Sequence, residues 1–138
     1  MAEGFARVYG SDVIEPSSAG LAPAPIIQSL TKKVMEAKNI NIDYITPRDV
    51  SKIDLTGISL IVNMTGRKLP TPPELEVKDW KVEDPIGKSE EVYVAVRDQI
   101  EMQVMYLILE LRRKAEEASG DGARTKTRPR ARPERGLE

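Results

Sequence analysis

The chain has no cysteine and no histidine. Without a thiol it forms no disulfide, offers no thiolate nucleophile and runs no thiol redox relay. Without an imidazole it lacks the side chain that titrates near neutral pH, and the two absences together remove every Cys/His metal site. Aromatic residues are scarce: one Phe, one Trp and four Tyr. Packing therefore rests on Ile, Leu, Val and Met. No apolar run approaches the roughly 18 residues of a membrane span, and there is no signal-peptide stretch. A cytoplasmic protein with no membrane partner is the expectation. Basic and acidic residues nearly cancel, 21 against 22, so overall charge implies neither a nucleic acid nor an acidic substrate.

At 138 residues the chain is long enough for one domain around one core. Its composition changes near residue 118. Residues 119–138 carry Arg124, Lys126, Arg128, Arg130, Arg132 and Arg135 against Asp121, Glu134 and Glu138, and almost nothing to bury. A domain over 1–118 and a disordered Arg/Pro-rich tail over 119–138 are expected. Charge alone would let the tail hold RNA, DNA or an acidic membrane. Interspersed prolines and acids, and the lack of any aromatic to stack on bases, point instead to a tail without a specific nucleic-acid target.

Ala2, Phe5, Ala6 and Tyr9 fall at helical spacing at the very start of the chain. Nothing stands before them to cap the first amides, where Ser, Thr, Asp or Asn would be usual. Asp12 to Ser18 reads as a short strand, its Pro16 suiting a sheet edge. Ile27, Leu30, Val34 and Ala37 mark a helix, with Asn39 as its left-handed cap and Lys32, Lys33 and Lys38 near its negative end. Arg48–Ile53 is a candidate short helix after Pro47. Ile58–Met64 is the best strand in the chain, apolar enough to be buried on both faces. Thr65–Pro73 is a loop, and Val77–Glu83 a shorter strand. Ser89 then caps the longest helix, whose Val92, Val96, Ile100, Leu107 and Leu111 define one apolar face ending near Ala118. Alternating helices and strands predict an α/β domain with a parallel sheet flanked by helices.

Three segments, in this order, resemble the low-molecular-weight protein tyrosine phosphatase family, which shares its fold with a group of arsenate reductases. Met1-Ala-Glu-Gly-Phe-Ala-Arg7 is similar to the stretch that follows the family's Cys-x5-Arg phosphate loop. Ser18-Ala-Gly20 matches the end of its next strand. Trp80-Lys-Val-Glu-Asp-Pro85 precedes the last long helix, where the family places an Asp-Pro general acid. The resemblance spans about residues 1–114 and leaves the Arg-rich tail without a counterpart. It implies a three-layer fold, a four-stranded parallel sheet with helices on both sides, whose first central strand is missing here. It also explains the uncapped opening helix: the chain starts where the catalytic loop has just ended, with roughly 15 residues absent. A misplaced start and a catalytically dead relative are both consistent with that.

The resemblance implies phosphomonoester hydrolysis through a phosphocysteine. A thiolate attacks phosphorus, and loop amides at a helix N-terminus hold the oxygens and lower the thiol pKa. An Arg binds the equatorial oxygens. An Asp protonates the leaving phenolate and then activates water. Of this set only the acid, Asp84, is present, and it is the one catalytic candidate; no cofactor or metal is implied. Asp-Pro-Ile-Gly is also a common turn. The expected substrate, were the loop restored, is a phosphorylated protein or small phosphomonoester, and the chain as given is expected to be inactive. Thr71-Pro-Pro73 and Trp80–Gly87 lean toward the reductase branch. The thioredoxin-coupled members of that branch use two further cysteines, and Asn63–Pro73 has none.

Gly66-Arg67-Lys68 could contact a phosphorylated substrate or simply face solvent. Met102, Met105, Tyr106 and Leu109 form a second stripe on the last helix, which either packs against the opening helix or a neighbouring loop or is a self-association surface. A non-catalytic interaction protein on the same scaffold is the alternative reading. Loss of a central strand predicts an unstable chain, or one that associates through open strand edges.

Overall fold

The computed structural model describes residues 1–21, 24 and 27–126. In chain order they form α1 (Ala2–Tyr9), α2 (Ser29–Glu36), a single 3-10 turn (Val50–Lys52), β1 (Leu60–Asn63), β2 (Glu76–Asp79) and α3 (Glu90–Lys126). β1 and β2 pair in parallel, with Leu60 opposite Glu76 and Asn63 opposite Asp79. The Trp80 amide continues the ladder by donating to the Asn63 carbonyl at 2.9 Å. α1 and α2 both pack against α3. The molecule is an α/β domain with a parallel sheet flanked by helices.

α3 organises the core. Val96, Ile100, Val104 and Ile108 recur every four residues and are all but fully buried. They meet Phe5 and Ala6 of α1, Met35 of α2, and Ile40 and Ile42 of the segment after it. Leu107 and Leu111, expected on this face, are only half-buried. A four-residue repeat drifts slowly around a 3.6-residue helix, and Val104 and Ile108 hold its centre line.

α1 ends at Gly10, whose amide donates to the Ala6 carbonyl at 2.9 Å. A Cβ built there would sit 2.7 Å from Ile108 Cγ1, so only glycine lets α1 approach α3 this closely. Arg112 of α3 fixes the exit: it holds both oxygens of Asp12, at 2.8 and 3.0 Å, and the Tyr9 carbonyl at 2.8 Å. α2 finishes as expected, with Asn39 in the left-handed region at φ 60° and the Ile40 amide donating back to the Met35 carbonyl at 3.1 Å. That reversal drives Ile40 and Ile42 into the core.

Three expectations are corrected. Residues 12–18 form no strand; the segment is held by side chains, Arg112 on Asp12, Arg7 on the Pro16 carbonyl and Glu3 on Ser18, and the one backbone bridge, between Gly20 and Asp49, lies just beyond it. Extended residues become a strand only when a neighbour takes their backbone groups, and among the described residues none lies alongside. β1 is half-buried except at Asn63, not covered on both faces, for the same reason: its sheet has two strands. α3 runs past Ala118 to Lys126. Gly120 and Gly122 weaken a helix without removing a donor, and the first proline after Ala118 is Pro129. The remainder of the tail, residues 127–138, lies outside the described residues.

Candidate active site

Two places carry the resemblance, and both touch the same core. The first is the start of α1. Met1 occupies its N-cap position and makes no side-chain capping bond. Its ammonium is pushed below the ordinary amine range by burial, which the Glu3 carboxylate only partly opposes. Glu3 accepts from Arg7 at 2.9 Å and from the Ser18 hydroxyl. Arg7 also donates to the Pro16 carbonyl at 3.0 Å, and its guanidinium lies 5.2 Å from the centre of the Tyr44 ring. The hydrogen bond to Glu3 is the main reason the Arg7 pKa is raised.

Ser18–Gly20 is thereby tied to the first turn of α1. It is held from the other side by Arg48, which donates to the Ser18 carbonyl at 3.2 Å. The Gly20 amide donates to the Arg48 carbonyl at 2.8 Å, and the Val50 amide to the Gly20 carbonyl at 2.9 Å. Two segments quoted separately from the sequence, 1–7 and 18–20, are neighbours in space. Glu3 and Ser18 join them and Arg7 braces Glu3 from the (i, i+4) position that marks a helix ion pair; that spacing is the one local signal for the contact.

The second place is the turn between β2 and α3. Asp84 is exposed. One of its oxygens accepts from the Ile86 amide at 3.1 Å, and the Lys88 amide donates to the Pro85 carbonyl at 2.9 Å. Gly87 closes the turn at φ 78°, and Glu83 pairs with Lys88. The other oxygen of Asp84 has no partner among the described residues. A side-chain cap on the turn and a free carboxylate oxygen therefore coexist in one residue. Trp80 and Val82, just upstream, pack on the buried cluster that Met1 and Ala2 also meet.

Asn63 closes the end of β1. It is 5% exposed and fully engaged. Its amide donates to the Arg67 carbonyl at 2.6 Å and to Asp79 at 2.9 Å. Its oxygen accepts from the Thr65 amide at 3.0 Å and the Thr65 hydroxyl at 2.7 Å. A polar residue ending an apolar run was the available signal for this knot. Arg67 enters through its carbonyl, while the side chains of Arg67 and Lys68 face outward.

Among the described residues no group of three or more acids is placed to hold a metal ion, and no helix is long and apolar enough to cross a membrane. On α3, Met102, Tyr106 and Leu109 are 56%, 66% and 54% exposed. Met105, expected in the same stripe, is half-buried against the core at its edge.

Residues 1–117 match the low molecular weight phosphotyrosine protein phosphatase family. The chain belongs to that family. Its relatives include the glutaredoxin arsenate reductase of Synechocystis, 30% identical over 115 residues that cover 80% of this chain and 87% of the relative. An arsenate reductase solved in its reduced state superposes with a TM-score of 0.71 at 31% identity, over 80% of this chain and 86% of that one. An arsenate reductase in a phosphate-binding state gives a TM-score of 0.69 at 29% identity, over the same shares.

Proposed function

We propose that the chain provides the acid side of a phosphomonoester hydrolase, with phosphotyrosine as the substrate class. Asp84 donates a proton to the leaving phenolate and then takes one from the water that hydrolyses the phosphocysteine. The observation that carries this is the Asp84 turn. In a member of the phosphatase family, the carboxylate stands exposed immediately before the last helix with one oxygen uncommitted. The nucleophile must come from outside these 138 residues, because none of them holds a thiol. Without it the covalent route is closed. A thiolate of this kind persists in a reducing compartment, so a cytoplasmic location belongs to the same proposal.

Joining the chain behind a strand and Cys-x5-Arg loop from the family tests this. The chain alone should leave phenyl phosphate intact, and the fusion should hydrolyse it. Asp84→Asn in the fusion should then lower kcat by about 10²–10⁴-fold while vanadate binds as before. Unchanged kcat in that variant would remove Asp84 from the mechanism.

Arsenate reduction is the second reading, favoured by the relatives named above. Arsenate and phosphate are oxyanions of the same shape, so one loop would serve both. Reduction, however, needs two electrons from thiols, and the Asn63–Pro73 segment that would carry a relay has no cysteine. Arsenite released by the fusion, with glutathione and glutaredoxin supplied, would put this reading first.

A further inference from the structure

α3 carries an outward stripe that nothing among the described residues covers: Asp98, Met102, Tyr106, Leu109 and Arg113, all exposed. Three of the seven large apolar side chains exposed on the described surface lie here, at (i, i+4, i+7) spacing. A single helix packed on a core needs one apolar face, and α3 already has it in Val96, Ile100, Val104 and Ile108. A second apolar seam with spacings of three and four is the pattern by which helices pair with other helices.

The stripe is also complementary to itself. Turned end for end about a point between Met105 and Tyr106, it places Met102 opposite Leu109 and Met105 opposite Tyr106. The same turn sets Asp98 against Arg113 at both ends. Acid meets base twice and apolar meets apolar between them, which is what a two-fold interface requires of one surface. A parallel pairing would instead set Asp98 against Asp98 and Arg113 against Arg113. The length of α3 agrees. Its anchoring to the core ends at Arg112, and residues 113–119 are exposed on every side. In the antiparallel arrangement this overhanging turn lies beside the partner's α3 at Val94 and Ala95.

We propose that the chain forms a homodimer through antiparallel pairing of α3, centred between Met105 and Tyr106 and closed at each end by Asp98 of one copy and Arg113 of the other. Neither charge is free in the monomer. Glu117 lies 3.1 Å from Arg113, both more than half exposed, and such pairs exchange partners at little cost; the buried Arg97 holds Asp98 by one oxygen only, at 2.8 Å, and leaves the other to a partner. The seam is short, about 22 Å from Asp98 to Arg113 along the axis, so association depends on concentration.

Sedimentation of the full chain over a concentration series tests this, with far-UV circular dichroism confirming that each variant keeps its helices. The parent should move from monomer to dimer. Leu109→Asp should weaken the dimer by at least about 100-fold, since it sets an unpaired carboxylate against Met102. Asp98→Arg and Arg113→Asp should each weaken it about tenfold, and the two together should return it to within about threefold of the parent. The absence of cysteine makes single-cysteine labelling clean. Tyr106→Cys should cross-link to itself through a short bis-maleimide, whereas Asp98→Cys should not. A folded chain that stays monomeric, a double reversal no better than either single one, or self-cross-linking at position 98 would overturn the proposal. So would a dimer indifferent to Leu109→Asp, the outcome expected if open strand edges drive association.

Discussion

Gly10 is the residue on which the meeting of α1 and α3 turns. A methyl group added there would fall 2.7 Å from Ile108 Cγ1 and 3.3 Å from the Ala6 carbonyl oxygen. Ile108 is fully buried, so the neighbour has nowhere to move. Gly10→Ala should destabilise the fold by about 1–3 kcal/mol, seen as a lower urea midpoint at unchanged slope. Asn63 makes a different case at the same scale. Its four hydrogen bonds leave no donor or acceptor idle, and Asn63→Ala takes a partner from the Thr65 amide, from Asp79 and from the Arg67 carbonyl, which keeps only the Thr65 hydroxyl at 3.1 Å. A loss of about 1–3 kcal/mol is expected. Asn63→Asp should cost more than Asn63→Ala at neutral pH, since it keeps both bonds from Thr65 but sets a buried carboxylate oxygen against the Arg67 carbonyl and the Asp79 carboxylate. A urea midpoint for Asn63→Ala equal to the parent's would mean that water replaces the amide.

Among the elements, the link between the exit of α1 and α3 depends on pH in a defined direction. Hydrogen bonds from Arg112 hold the Asp12 carboxyl below its usual range, against a smaller opposing effect of burial. A carboxylate with a depressed folded pKa contributes stability that is fully present above its unfolded value, about 3.9. That stability is lost as pH falls through the lower folded value. Thermal unfolding followed from pH 6 down to 2 should therefore steepen in the acid range. Arg112→Ala should flatten that part of the curve. An identical acid slope in parent and variant would show that Asp12 keeps its environment without the guanidinium. The elements also differ in how far they could be read in advance. α1, α2 with its Asn39 cap, and the start of α3 carry their signals locally, in spacing and capping residues. The segment 12–18 carries a strand's composition, yet strand formation depends on a second backbone, which no local pattern contains. Asp84 was legible as an acid ahead of a helix. The Glu3–Ser18 contact was not, because it depends on how the chain returns after the rest of α1 and the loop that follows, fifteen positions on.

At the scale of the molecule, stability is uneven. The buried cluster draws on α1, α2, the turn after α2 and α3, while the sheet side adds only the half-buried Met64, Trp80 and Val82. A two-stranded sheet has little stability of its own. The amides of β1 and β2 should therefore exchange with deuterium faster than those of Val96 to Ile108, as local opening precedes global unfolding. Equal protection in both regions would mean that the sheet and the helical core open as one unit. Trp80 gives this division an optical consequence. It is the only tryptophan, and it sits where β2 leaves the sheet, four residues before Asp84. Its emission follows the docking of the sheet side on the helical core, while ellipticity at 222 nm is dominated by α3. Two spectrometers following one titration with urea should draw two curves, the fluorescence curve falling first.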